Sequence, residues 1–193
     1  MPCLQFPASR AGHAVRPFAN VFLTEVRGMI TRSAKLLLVA GIALFYTLVV
    51  FNNITDFNSN YQFVRHVLSM DTTFPGNQGM WRALTSPAAH LAFYCSIIAW
   101  EIATMILLWW AVTGLFRALR QPCAVFNTAK RMAILALTIA MLMWLIAFLS
   151  VGAEWFLMWQ SQAWNGQNAA FRMFSVVGLV LLLVMQPDTD TQP

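Results

Sequence analysis

Residues 132–152, MAILALTIAMLMWLIAFLSVG, run without a single charged side chain. At 1.5 Å per residue, a helix of about 20 residues crosses the ~30 Å hydrocarbon core of a bilayer. This stretch therefore reads as a complete membrane span. Three others flank it. Upstream, Ala88 to Leu115 is a long apolar run interrupted only by Glu101, with Ser86-Pro87 in front of it as an N-cap and a first-turn proline. Before that, Leu36 to Phe51 becomes long enough to span if its helix starts near Thr31 and reaches Asn52, with Lys35 snorkelling to the interface. Downstream, Phe174 to Met185 needs residues from Asn168 onward, and Gln186-Pro187 stops it. The expected spans are thus 32–52, 88–115, 132–152 and 168–185.

The whole chain agrees with this reading. Of its 193 residues 59% are hydrophobic and 10% charged, against roughly 25% charged in an average soluble domain. The net charge of +5 does not point to nucleic acid, because the basic residues sit in short clusters beside apolar runs. They orient the chain instead. Arg10, Arg16, Arg27, Arg32 and Lys35 precede the first span, and Arg117, Arg120, Lys130 and Arg131 join the second to the third. Nine of the twelve basic residues therefore lie on one side, which the positive-inside rule makes cytoplasmic, together with both termini. The expected fold is all-α, a membrane-embedded four-helix bundle, its first helix an uncleaved signal anchor.

The ends read differently from the middle. Residues 1–28 carry prolines and basic residues without apolar periodicity, so they are expected to form a flexible arm. Met29 is the expected natural start, and a genuine cytoplasmic arm is the alternative. Residues 29–186 form the transmembrane domain and residues 187–193 a disordered acidic tail.

The connection from Asn52 to Pro87 is too long to be structureless. Ser59-Asn60-Tyr61-Gln62 has capping-box form, and Tyr61, Val64, Val67 and Leu68 recur at helical spacing. A short amphipathic helix over 60–70 is expected on the outer surface or over the bundle mouth. Thr73 to Asn77 reads as a turn and Met80 to Leu84 as a second helical piece. The next outer connection is rich in indoles, Trp155, Trp159 and Trp164, which read first as interfacial anchors.

The runs Phe51-Asn52-Asn53-Ile54-Thr55-Asp56, Phe63 to Thr72, Ala99-Trp100-Glu101, Glu154-Trp155-Phe156, Trp159-Gln160-Ser161 and Trp164-Asn165-Gly166-Gln167 occur in an order that resembles a family of predicted small integral membrane proteins of proteobacteria, a domain of unknown function. The resemblance covers about residues 30–186. It implies fold and location, and carries no activity, ligand or catalytic residue.

Chemistry centres on Glu101. An acidic residue at mid-bilayer depth costs about 2.5–3.5 kcal/mol on insertion scales, so it must face protein or water. His90 lies about three helical turns earlier on the same face, with Tyr94 close to it. The stripe His90, Tyr94 and Glu101 is a candidate proton path or cavity wall. The alternative is a neutral carboxyl holding helices together through Tyr46, Thr47 or Thr138. Asp56, His66, Asp71 and Glu154 are candidate polar residues of the outer mouth. A haem would need two histidines inside the bundle, whereas His13 lies in the arm and His66 in a loop. No cofactor or metal is expected, and Cys3, Cys95 and Cys123 are too far apart for a disulfide. Asn53-Ile54-Thr55 matches a glycosylation acceptor, read as chance in a bacterial protein.

Without a nucleophile motif or a phosphate loop, an enzyme is not expected. Two classes remain. One is an accessory or scaffolding subunit whose small residues Ala92, Ser96, Ala99 and Ala103 let a partner helix, or a second copy, approach closely. The other is a small proton-coupled transporter or channel-like protein using Glu101.

Overall fold

The computed structural model describes residues 18–189. Helix α1 spans Phe18–Thr55, α2 Phe57–Ser69, α3 Pro87–Ala118, α4 Cys123–Leu142 and α5 Gln167–Met185. α4 continues without a break into π-helical turns over Met143–Trp155, and short 3-10 turns lie at Met80–Arg82 and Met158–Gln160. Among the described residues there is no strand. Four helical stretches are long and apolar enough to cross a membrane: Gly28–Thr55, Pro87–Ala118, Cys123–Trp155 and Gln167–Met185. The protein is an all-α bundle with four candidate spans.

Each span exceeds its sequence-based bounds, and for a physical reason. A helix ends where its backbone meets a breaker or a competing contact, not where hydropathy falls. α1 starts upstream at Phe18, so residues 18–28 do not form the unstructured arm expected of them; residues 1–17 lie outside the described part. α4 starts at Cys123 because Pro122 sits at its N-cap position, where the missing N–H costs nothing.

α3 organises the bundle. It packs most extensively against α4 and α1; α4 and its π-helical continuation pack against α5, and α1 touches α5 only sparsely. Along α3 the buried residues His90, Tyr94, Glu101, Thr104, Leu108, Ala111, Leu115 and Ala118 recur in steps of three, four or seven. That is a heptad-like seam, the pattern of near-parallel packing. Facing it on α4 are Ala133, Ala136 and Ala140, all fully buried, whose small side chains let the backbones approach closely. Polar side chains add interhelical bonds: Trp109 Nε1 donates to Thr47 Oγ1 at 2.9 Å, Trp100 Nε1 to the Ile139 carbonyl at 3.2 Å, and Tyr46 Oη to the Ala140 carbonyl at 3.3 Å. The outward surface is apolar. Leu44, Leu48, Ile106, Trp110, Leu179 and Leu182 are all more than half exposed, and only 22% to 33% of each span's most apolar stretch is buried in the bundle. Water would not tolerate this surface, whereas lipid does.

At the end away from the termini, α2 closes the bundle. Val64, Val67, Leu68 and Met70 bury against Tyr94, Ala153, Phe156 and Met158. The helix forms as its amphipathic pattern demands, but the capping box does not. Asp56 is the N-cap residue, without a side-chain cap, and Ser59 falls inside the first turn. Ring contacts of Phe57 with Tyr61 and Tyr94, the latter at 4.7 Å between centroids, draw the helix start upstream. The indoles also do more than mark membrane depth. Trp164 stacks on His66 with centroids 4.6 Å apart and 9° between planes, Trp159 meets Phe74 edge-on, and Arg82 lies over both Trp81 and Trp155. These pairs clamp the two loops of this capped end together.

Candidate functional site

The π-helical turns matter because they aim two aromatic side chains inward. Wider turns of this kind are usually confined to one turn and frequent at functional sites. Here Ser150 Oγ reaches the Leu145 carbonyl at 2.9 Å and the Phe156 amide the Val151 carbonyl at 3.0 Å, both spanning five residues. Trp144 and Phe148, their rings 4.9 Å apart, become one wall of a cavity of about 330 Å³ beneath α2. Val49, Asn52 and Asn53 of α1 form a second wall, Tyr94, Ile97 and Glu101 of α3 a third, and Asn60, Phe63 and Val64 of α2 the roof. Gly166 and Ala169 close the side towards α5. A Cβ added at Gly166 would stand 2.9 Å from the Phe63 ring, so the glycine admits that ring to the cavity edge.

A hydrogen-bond network joins three helices here, and its hub is Asn53. The Asn53 carbonyl oxygen accepts from Tyr94 Oη at 3.0 Å and from Asn60 Nδ2 at 2.7 Å. Its amide donates to Glu101 Oε2 at 2.5 Å. Asn53, Tyr94 and Glu101 are all buried. Among the described residues Oε1 of Glu101 accepts no hydrogen bond and the carboxyl makes no ion pair. The indole N–H of Trp144 is also buried, beside the Tyr46 hydroxyl but without a well-formed hydrogen bond.

The predicted stripe thus divides. Tyr94 and Glu101 come together through Asn53, a residue of the run Phe51 to Asp56 that had no expected role in the site. His90 is buried on the same face, yet its Nε2 pairs with the Leu84 carbonyl at 2.7 Å, which ties the preceding loop to α3. Of the expected alternative partners of Glu101, Tyr46 bonds Ala140 and Thr47 is engaged by Trp109. Thr138 returns to its own helix at Ile134. The four outer-mouth residues do not converge either. His66 pairs with Asp71 at 2.7 Å, Asp56 stands at the α1–α2 junction, and Glu154 is exposed with its carbonyl facing Arg82. Among the described residues no three His, Cys, Asp or Glu side chains gather in a metal-binding arrangement.

A model of a family described as predicted small integral membrane protein, DUF2165, matches residues 31–187. The chain belongs to that family. In this DUF2165 member the matched stretch holds three candidate spans whole, the first from Thr31 onward, and α2 with every residue of the cavity. No curated protein and no solved structure matches the chain. The family description places the protein in a membrane and assigns it no activity.

One further cluster lies at the opposite end, where the termini are. Asp188 accepts from Lys35 Nζ at 2.7 Å and from Lys130 Nζ at 2.6 Å, and all three side chains are at most 6% exposed. Both ammonium groups also donate to the Gln186 carbonyl, at 2.7 and 2.6 Å. Asn127 brackets the Asp188 backbone, accepting from its N–H at 3.1 Å and donating to its carbonyl at 2.8 Å. Burial by itself would raise the Asp188 carboxyl, but the bonds from Lys130 and Lys35 outweigh it and hold the group below the ordinary carboxylate range. Two sequence expectations fail here. Lys35 does not snorkel, and the acidic tail is not free at Asp188, because its carboxylate meets two lysines that bundle formation has already taken out of water. Residues 190–193 lie outside the described part.

Proposed function

We propose that the protein is a non-catalytic accessory or scaffolding subunit that docks a transmembrane helix of another membrane protein on the outward face of α3. The observation that carries this reading is a second seam on that helix. Opposite the buried heptad face, Ala92, Ser96, Ala99, Ala103, Ile106, Trp110 and Thr113 follow one another in alternating four- and three-residue steps, and every one of them is exposed. Among the described residues nothing covers them. Small residues fill the half of the seam nearer α2 and bulky ones the other half, a taper that suits a helix crossing at a shallow angle. Lipid needs no such periodicity, since chains of hydrocarbon fill any apolar surface.

Bulk placed on the seam tests it. Ala99→Leu and Ala103→Leu are expected to leave abundance and helix content unchanged, because both sites face outward, while proteins that co-purify with the tagged wild type in mild detergent fall at least tenfold. Unchanged co-purification, or none with the wild type, would count against the reading.

The cavity favours a second reading, a small proton-coupled carrier using Glu101. Glu101→Gln discriminates: lost flux with the same co-purifying proteins supports transport. On orientation, the clustering of Lys and Arg at the end bearing the termini supports an inner-membrane protein with both termini in the cytoplasm. A fluorescent-protein fusion at the carboxyl terminus is then expected to be bright, and an alkaline phosphatase fusion inactive.

A further inference from the structure

We infer that the cavity beneath α2 is a binding site for a monovalent organic cation with an apolar body, a lipophilic amine or quaternary ammonium compound, seated against Glu101. The size is right to begin with. About 330 Å³ falls within the range of small-molecule pockets, roughly 300–1,000 Å³.

Charge then selects the ligand. Glu101 lines the cavity and is held at Oε2 by Asn53, so the carboxylate is oriented and, among the described residues, lacks a counter-ion. An ionised carboxylate in this setting is stabilised by an opposite charge that arrives desolvated. An anion would be repelled. Ca²⁺ or Mg²⁺ would need about six or more oxygen ligands and Zn²⁺ about four nitrogen, sulfur or oxygen ligands, whereas among the described residues lining the cavity Glu101 is the only carboxylate, there is no His or Cys, and the Asn53 side-chain carbonyl already accepts two hydrogen bonds.

The walls select it further. Phe63, Tyr94, Trp144 and Phe148 all line the space, and aromatic walls around one anionic group are how soluble proteins hold alkylammonium ions, through the attraction of a cation to the ring faces. Strong hydration makes a small inorganic cation a poor match for such walls, and an apolar body fills the space beside Val49, Val64 and Ile97. The way in is lateral. α1 and α5 touch only sparsely, and exposed Asn52 and Ala169 form the rim there, level with the end of the spans where amphiphilic cations gather in a bilayer.

The test uses benzyltrimethylammonium and its neutral isostere neopentylbenzene, both radiolabelled, in flow dialysis against the full chain in phosphatidylcholine nanodiscs, with empty nanodiscs subtracted. Saturable binding of the cation is expected, weakened at least tenfold in Glu101→Gln, with the neutral compound bound more weakly and equally by both. Asn52→Lys supplies a second arm. It sits on the exposed rim, where a lysine does not disturb packing, and is expected to weaken the cation at least tenfold by like-charge repulsion while leaving the neutral compound unaffected. Should Glu101→Gln fail to fold, Asn52→Lys decides. The inference is overturned if the wild type binds no cation saturably, if either folded variant binds it as tightly as the wild type, or if the neutral isostere binds as well as the cation. The outcome is independent of helix docking on α3, because neither Asn52 nor Glu101 belongs to the exposed seam and Ala99→Leu touches no cavity wall.

Discussion

Asp188→Ala is expected to lower the stability of the bundle by about 3–5 kcal/mol, the cost of leaving buried charges without their partner. The carboxylate is the acceptor shared by Lys35 on α1 and Lys130 on α4, so its removal strands two ammonium groups that are nearly inaccessible to solvent. Repulsion between them would then pry α1 from α4 at the end bearing the termini. Unfolding in mixed micelles of mild detergent and dodecyl sulfate, followed by circular dichroism, measures the loss. Combining Asp188→Ala with Lys130→Met removes one stranded charge and is expected to recover part of it. A single variant as stable as the wild type would show that the tail is not a latch. The pH dependence has a definite sign. Because the folded carboxyl is held below its ordinary range, the stabilisation is fully present above the unfolded pKa of about 3.9 and fades as pH falls through the lower folded value. Titration of this group therefore leaves stability flat between about pH 5 and 8, with loss confined to strongly acid solution.

The second large effect belongs to Asn53→Leu. This change removes the hub on which Tyr94, Asn60 and Glu101 converge. Each buried polar group deprived of its partner costs about 1–3 kcal/mol; Glu101 has no other side-chain hydrogen-bond partner among the described residues, whereas Tyr94 keeps Asn60. A loss of about 3 kcal/mol is expected in the same unfolding measurement. Glu101→Gln is expected to cost only about 1 kcal/mol, since a glutamine carbonyl still accepts from Asn53. The order of these two separates roles: if Glu101→Gln is as damaging as Asn53→Leu, the carboxylate serves mainly to hold the helices together. The expected order leaves Glu101 free to act on something that enters the cavity.

Much of the fold was legible because the bilayer imposes its own arithmetic. Residues 132–152 had no other reading, and the amphipathic spacing of Val64, Val67 and Leu68 announced α2. Local signals did less well. Ser59 to Gln62 has the letters of a capping box, yet contacts of Phe57 with the rings of Tyr61 in the same helix and Tyr94 on α3 set the true helix start. The π-helical stretch had no sequence signal at all, because hydrophobic periodicity over Met143–Trp155 does not distinguish four-residue from five-residue hydrogen bonds.

The candidate site was half legible. Glu101 stands out in any sequence as a charge where lipid excludes charge, and Tyr94 follows from helical spacing. Asn53 does not: a polar residue at the end of a span is ordinary, and what makes it the hub is the crossing of α1 and α3. His90 is the reverse case, correctly placed on the face and bonded elsewhere. Asp188 illustrates the same limit, since two lysines 95 residues apart and a terminal aspartate are unrelated along the chain.

The sequence by itself therefore determined the solvent of this protein, the number of its spans and the depth of its one membrane carboxylate, because those depend on transfer free energies summed along contiguous residues. Only the tertiary structure decided which face of α3 is buried and which is open, who holds Glu101 and Asp188, and where a cavity remains. Both faces of α3 are apolar, and hydropathy cannot choose between them; that choice is made by shape, as the alanines of α4 admit one seam and leave the other to the membrane.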